Sequence, residues 1–314
     1  MSGALRRLAA AAGTLLAASV LVFAATALAP GDAASARLGG RAGPAQVAEL
    51  RHRLGLDQPA WSRYGHWLWR ALHGDLGTSY ASGRPVADLI AERAGNSLLL
   101  GAVAAVLLVP SALGLGLWAG VRAGRAADRV VSTATLALVS LPEFVTGTLL
   151  VLVLAVGLGL LPSVSVPSAG QSPLTQPQIL VLPVLTLLSA CLAQNVRLVR
   201  AGVIEANGSE AVRTARLGGL PEHRVLLRWV LPAAVVPAVP VFARYLAYLL
   251  GGTLVAETLF GYPGLAAALV DATASRDVPV VQGVTLLVAG LTITLNLLAD
   301  LLANALNPAA RSHS

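Results

Sequence analysis

The 314-residue chain is 56% hydrophobic and only 12% charged, with a mean hydropathy of +0.73. That leaves too little polar surface to cover a water-soluble globule and makes a bilayer the expected solvent. The formal charge of +7 is carried by 22 basic residues, every one an arginine, and the single Cys191 excludes an internal disulfide framework or a cysteine cluster around a metal.

In chain order, apolar runs long enough to cross a hydrocarbon core as helices lie at 8–28, 98–121, 130–161, 179–196, 231–256 and 278–306. None alternates like a barrel strand, so the expected fold is all-α, a polytopic bundle of about six spans. Arg6, Arg7 and Ala27-Leu28-Ala29 give the first run a look of a cleavable signal, but its apolar core exceeds the usual ~7–15 residues, which favours a retained membrane helix. Pro110, Pro142, Pro183, Pro237 and Pro240 fall inside the runs, where neighbouring helices absorb the kinks. The expected organisation is a first membrane helix (1–29), an external segment (30–96), a permeating core (97–306) and a short tail (307–314).

Within the external segment, Trp61, Tyr64, Leu68 and Leu72 recur at helical spacing, with Trp67 and Trp69 alongside and Arg63 and Arg70 able to reach headgroups. This predicts an amphipathic helix at the membrane interface over 59–72, followed by turns at Asp75, Gly77, Gly83 and Pro85. Arg122, Arg125 and Arg129 follow the second run, and Arg197, Arg200, Arg213, Arg216, Arg224 and Arg228 follow the fourth. The connection at 162–178 carries no charge. Basic short loops stay in the cytoplasm, so both termini are expected inside; the long basic segment at 30–96 is expected outside, because long loops translocate regardless of charge.

The cytoplasmic connection at 203–232 predicts two short helices: one over 203–217, a left-handed stop at Gly218-Gly219, and a second with Pro221 in its first turn and Glu222 complementing its dipole. Helix-turn-helix units with arginines also occur in DNA-binding proteins, but membrane runs on both sides and the lack of a surrounding basic domain argue for protein docking and against nucleic acid.

Arg213-Thr214-Ala215, then Gly219, then Leu231-Pro232 resembles the cytoplasmic loop of binding-protein-dependent ABC importer permeases, whose pattern is Glu-Ala-Ala, three residues, Gly and a later Leu-Pro. Further pieces are similar to the peptide/nickel class: Pro30-Gly31-Asp32, 54–59 with Gly74-Asp75-Leu76-Gly77, 211–216, 257–265, 276–282 and Asn296 through Asp300 to Asn307-Pro308. Together they span nearly the whole chain. Departures stand at Arg213-Thr214, Gly218, Asn307 and Arg244, the last inside a run that is usually uncharged.

The resemblance implies a type I ABC importer permease fold in the bacterial inner membrane and a coupling loop built on Glu210, Arg213, Thr214, Ala215, Arg216, Gly219, Leu220, Pro221, Leu231 and Pro232. It also implies three kinds of partner: cytoplasmic ATPase subunits, a second homologous permease and an extracytoplasmic solute-binding protein. ATP is expected on the partners, because a G-x-x-x-x-G-K-[ST] loop needs a lysine and this chain has none. Arg244, Tyr245, Tyr248 and Glu257 are the expected lining of the translocation path; a charge at membrane depth faces water or a partner, so for Arg244 the alternative is a structural pair with Glu143 or Asp300 or a contact with helix carbonyls. No enzyme, cofactor or metal site is expected: the runs lack paired aspartates, a Ser/His couple and H-E-x-x-H, and His52, His66 and His73 lack the i, i+4 spacing of a helical metal pair. Cargo stays open between peptides and nickel, the run at 58–86 being similar to nickel permeases. An ion-coupled secondary transporter and a non-transport scaffold are the other classes, disfavoured because only Glu143, Arg244 and Asp300 are ionisable within the runs.

Overall fold

The computed structural model describes residues 2–28, 43–53, 55, 57–168, 171–251 and 253–306. The motif pieces at 30–32, Leu54, Leu56 and 307–308, and the tail at 307–314, lie outside the described residues. In chain order the α-helices are α1 (Ser2–Leu28), α2 (Pro44–Arg53), α3 (Ala60–Leu72), α4 (Val86–Val121), α5 (Ala126–Ser140), α6 (Glu143–Leu150) and α7 (Gln178–Asn207). They continue as α8 (Glu210–Leu217), α9 (Glu222–Val225), α10 (Leu231–Val235), α11 (Val239–Gly251), α12 (Leu254–Phe260), α13 (Leu265–Ala274) and α14 (Val278–Leu306). Among the described residues there is no strand, only an isolated bridge between Thr78 and Pro85. Among the described residues five helical runs are long and apolar enough to cross a membrane, one of them the continuous path Glu222–Phe260, or six if the bent pair α5–α6 counts as one span.

Hydropathy set some ends wrongly. The second run begins at Val86 rather than 98, because Asp88 and Glu92 lower the local hydropathy while standing exposed on a helix whose Val86 and Ile90 are buried. At 1.5 Å per residue its 36 residues reach about 54 Å, so its charged start stands outside the hydrocarbon. The third run is broken: α5 and α6 meet at 113°. Leu141 precedes Pro142, whose ring disfavours helical backbone at Leu141 (ψ 132°), and Pro142 itself is also extended (ψ 145°).

The chain divides into two units, Met1–Ser97 with Pro263–Thr294, and Leu98–Tyr262 with Leu295–Ser314. In the first, Val86, Ile90, Leu265, Ala272, Val280 and Val284 form a core, and a Cβ on Gly283 would lie 2.8 Å from Val86 Cγ1. Asp277, 3% exposed, accepts hydrogen bonds from the Ser79 hydroxyl and from the Tyr80 and Ala81 amides at 2.9 and 3.1 Å. Three donors repay the cost of burying a carboxylate. α3 lies against α1: Phe23 meets Tyr64 edge-on at 5.3 Å, and Tyr64 Oη and Ser19 Oγ are 2.9 Å apart. The predicted amphipathic helix therefore forms, with Tyr64 and Trp67 turned to α1 and Trp61, Trp69 and Leu72 exposed.

The second unit is built around α7, whose Leu187, Val196, Val199 and Val203 are buried. Lipid tails are as apolar as these side chains, so close packing rather than the hydrophobic effect holds such helices together. α4 supplies it with Gly116 and Gly120: a Cβ on Gly120 would stand 2.6 Å from Val203 Cγ1, and one on Gly116 2.7 Å from Val199. Gly202 does the same on α10, 2.8 Å from the Ala234 carbonyl. Thus α7 is clasped by backbones on two sides.

Candidate functional site

The connection between α7 and α11 differs from the sequence expectation in three ways. α7 runs on to Asn207, so the predicted helix over 203–217 is divided at Gly208-Ser209. Ser209 is extended and its hydroxyl accepts the Val212 N–H, which starts α8 as a separate helix. The stop is Gly219 alone: its φ is +75°, whereas Gly218 is right-handed at −74°. Nothing crowds Gly219, so its backbone conformation is what requires glycine. Finally, Pro221 caps α9 from outside (ψ 141°). α9 is no free-standing helix; a π turn (Leu226–Val230), α10 and a 3-10 turn (Val236–Ala238) carry it without a break into α11. Leu231 and Pro232 therefore sit within this helical path and open α10.

One side of α8 faces the protein and the other faces out. Val212 and Ala215 are buried, while Glu210, Arg213, Thr214, Leu217, Leu220 and Pro221 are exposed. Arg213 stands 3.9 Å from Glu210, a contact worth little at such exposure. Arg216 is the internal clasp. Its Nη2 donates to Asn207 Oδ1 at 2.6 Å and to Glu222 Oε1 at 2.7 Å, and its Nε donates to Glu222 Oε2 at 3.1 Å. The end of α7, α8 and the start of α9 are joined by one guanidinium, whose pKa the Glu222 carboxylate raises. Leu217, 81% exposed at the tip, has no place in that framework.

Behind the loop, Arg200 on α7 meets Asp128 on α5 with Nε and with Nη2 (2.8 Å), and the Gly124 amide adds a third bond at 2.8 Å. Asp128 is 3% exposed. In the sequence Arg200 adds only to the charge of the loop, and nothing signals a partner 72 positions away.

The expected path residues are only partly brought together. Arg244 and Tyr248 lie one turn apart on the exposed side of α11, while Phe242 and Leu249 face the core and Tyr245 lies between. The Tyr248 hydroxyl donates to Glu143 Oε2 at 2.9 Å, so Glu143 is held by tyrosine, and among the described residues Arg244 forms no ion pair with Glu143 or Asp300. Glu257 stands apart: it is fully buried and accepts the Thr253 hydroxyl at the start of α12, which ends at Gly261 with φ +63°. Glu143 was not singled out as a path residue, although a carboxylate directly after a proline inside an apolar run is a readable signal. Among the described residues no group of three His, Cys, Asp or Glu is placed to hold a metal ion. His73 instead bonds the Trp69 carbonyl at 2.8 Å.

Residues 112–312 match the family described as binding-protein-dependent transport system inner membrane component, and residues 2–101 match its N-terminal component. The glutathione transport system permease protein GsiC of Escherichia coli strain K12 is 40% identical over 299 residues, 95% of each chain. The protein of that name from Salmonella choleraesuis strain SC-B67 is 37% identical over 307 residues, 98% of each chain. With several apolar helices of membrane-crossing length and a family match along both parts, the chain belongs to the binding-protein-dependent transport system inner membrane components, as a multi-pass permease subunit of an ABC importer.

Proposed function

We propose that this subunit forms half of the translocation pathway for a small peptide, and that the loop at 203–232 receives the cytoplasmic ATPase. A second homologous permease completes the pathway and an extracytoplasmic binding protein delivers cargo. Both termini face the cytoplasm. The subunit needs no cofactor and performs no chemistry of its own; with no lysine for nucleotide phosphates, it relies on its partners for ATP hydrolysis.

The observation that carries this reading is the division of labour on α8. Its inward residues and the Arg216 clasp tie it to α7 and α9, while Leu217 and its neighbours are left displayed. α8 is tied to both α7 and α9, and each of these runs as helix into the apolar bundle. A push on α8 is therefore delivered to two membrane helices together, and Arg200–Asp128 passes it to α5. Packed helices respond to such a push by moving between discrete arrangements, the rigid-body change expected of alternating access. Arg244, Tyr245, Tyr248 and Glu143 are the proposed path residues, and Glu257 a structural support near them. The relatives' names favour a peptide over nickel.

The test is reconstitution of the subunit with its second permease, ATPases and binding protein in proteoliposomes. ATP-dependent uptake of di- and tripeptides is expected, with none of nickel ion and no ATP hydrolysis by the isolated subunit. Uptake that persists without ATP and follows an ion gradient would overturn the assignment of the loop.

A further inference from the structure

A second polar site lies in the first unit. A cavity of about 540 Å³ is walled by α1, α3, the turn at 75–80 and the start of α14. Arg53, Arg63 and Arg70 line it, against one carboxylate, Asp75. Glu49 also pairs with Arg53 at 2.8 Å, so among the described residues three arginines stand here with two carboxylates. His66, Gln58 and Gln282 add further polar groups. Another wall is Trp67, whose indole N–H is buried with no acceptor among the described residues. A buried donor left without an acceptor costs free energy, and it is relieved by a ligand that accepts.

The position of the cavity identifies the acceptor. Phe23 lines it from α1, five residues before the end of that helix at Leu28, or about 7.5 Å along the axis. Gln282 lines it from the opening turns of α14 and donates to Thr26 Oγ1 at 2.8 Å. Two apolar membrane-length helices thus have their ends here, the depth at which lipid phosphates lie. Trp61, Trp69 and Leu72 on α3 are exposed beside it, and α1 exposes Leu16, Val20 and Leu21. Such aromatic and arginine-rich helices seat themselves at the headgroup layer.

We propose that this cavity binds the phosphate of an anionic phospholipid headgroup, with Arg63 and Trp67 N–H as its donors. The lipid acts as a wedge that fixes α3 against α1 and α14. Its chemistry is that of any phosphate monoanion, so the test separates lipid from free phosphate.

The assembled transporter is equilibrated in mixed micelles containing equal phosphatidylglycerol and phosphatidylcholine, and retained lipid is counted by native mass spectrometry. Phosphatidylglycerol is expected to be retained preferentially. Arg63→Gln should lower its retention about fivefold, the equivalent of the ~1 kcal/mol that one arginine contributes at an anionic surface. Trp67→Phe, which keeps the ring and removes only the N–H, should lower retention in the same direction at unchanged melting temperature and decides the matter if Arg63→Gln folds poorly. Equal retention of the two lipids, or no effect of Trp67→Phe, overturns the proposal. So does displacement of the lipid by millimolar inorganic phosphate, which would make this a free-anion site. Loss of the binding protein from both variants with phosphatidylglycerol still bound would reassign the arginines to protein docking.

Discussion

Two chain reversals in this molecule treat their charges in opposite ways. At 79–81 the turn is sealed: Asp277, almost wholly buried, takes the Ser79 hydroxyl and two amides, and leaves nothing for a partner. At 207–222 the turn is clasped by Arg216, but its ions are a third or more exposed and a leucine stands at its tip. A sealed turn gains its stability from burial and loses it when one acceptor is removed. The displayed turn is held by weak, solvent-screened contacts, and its exposed residues are available to another protein.

Substitutions at each turn should divide accordingly. The largest loss of stability is expected from Asp277→Ala, which strands three donors in a buried site and should cost roughly 3–5 kcal/mol. The readout is a collapse of membrane abundance and melting temperature, with Asp277→Asn intermediate; a stable, abundant Asp277→Ala protein would erase the contrast. Gly219→Val follows, since a β-branched residue at φ +75° costs about 1–2 kcal/mol. Here ATPase pull-down and uptake should fall much further than abundance.

Arg216→Gln is expected to cost under about 1 kcal/mol in stability, because its pairs are screened, yet to reduce ATP-driven uptake several-fold by releasing α8 from α7 and α9. Equal losses of stability and uptake would argue that the clasp is only structural. The smallest effect concerns Asp75, whose carboxyl is held below its usual pKa by Arg70 and by the Gly77 amide. A depressed carboxylate contributes above its unfolded pKa and loses that contribution as pH falls through its folded one. The small melting-temperature gap between the protein and Asp75→Asn should therefore be present at neutral pH and close only as the pH falls below the usual carboxylate range.

The same comparison explains what could be read from residues alone. Apolar runs, the amphipathic helix at Ala60–Leu72 and the turn at Gly219 are local, and each depends on spacing or on one backbone angle. Helix ends were read poorly where charge and helicity part company: Arg197 and Arg200 lower the hydropathy of α7 without ending it, and Ser209 does end it. Pairings such as Tyr248 with Glu143, or Asp277 with Ser79, join residues 105 and 198 positions apart, which no periodicity encodes. Gly116 and Gly120 are a local signal of another kind, because glycines four apart in an apolar run mark close helix approach.

The claim that the displayed turn receives the ATPase rests on Leu217 being exposed and facing the cytoplasm. The direct measurement is site-specific cross-linking with Leu217→Cys in a Cys191→Ala background, Cys191 being buried and the only native thiol. The expected result is an adduct with the ATPase subunit in the assembled transporter, and labelling by an impermeant maleimide only when the cytoplasmic face is opened. Labelling from outside in intact cells, with no ATPase adduct, would contradict both the orientation and the role of the loop.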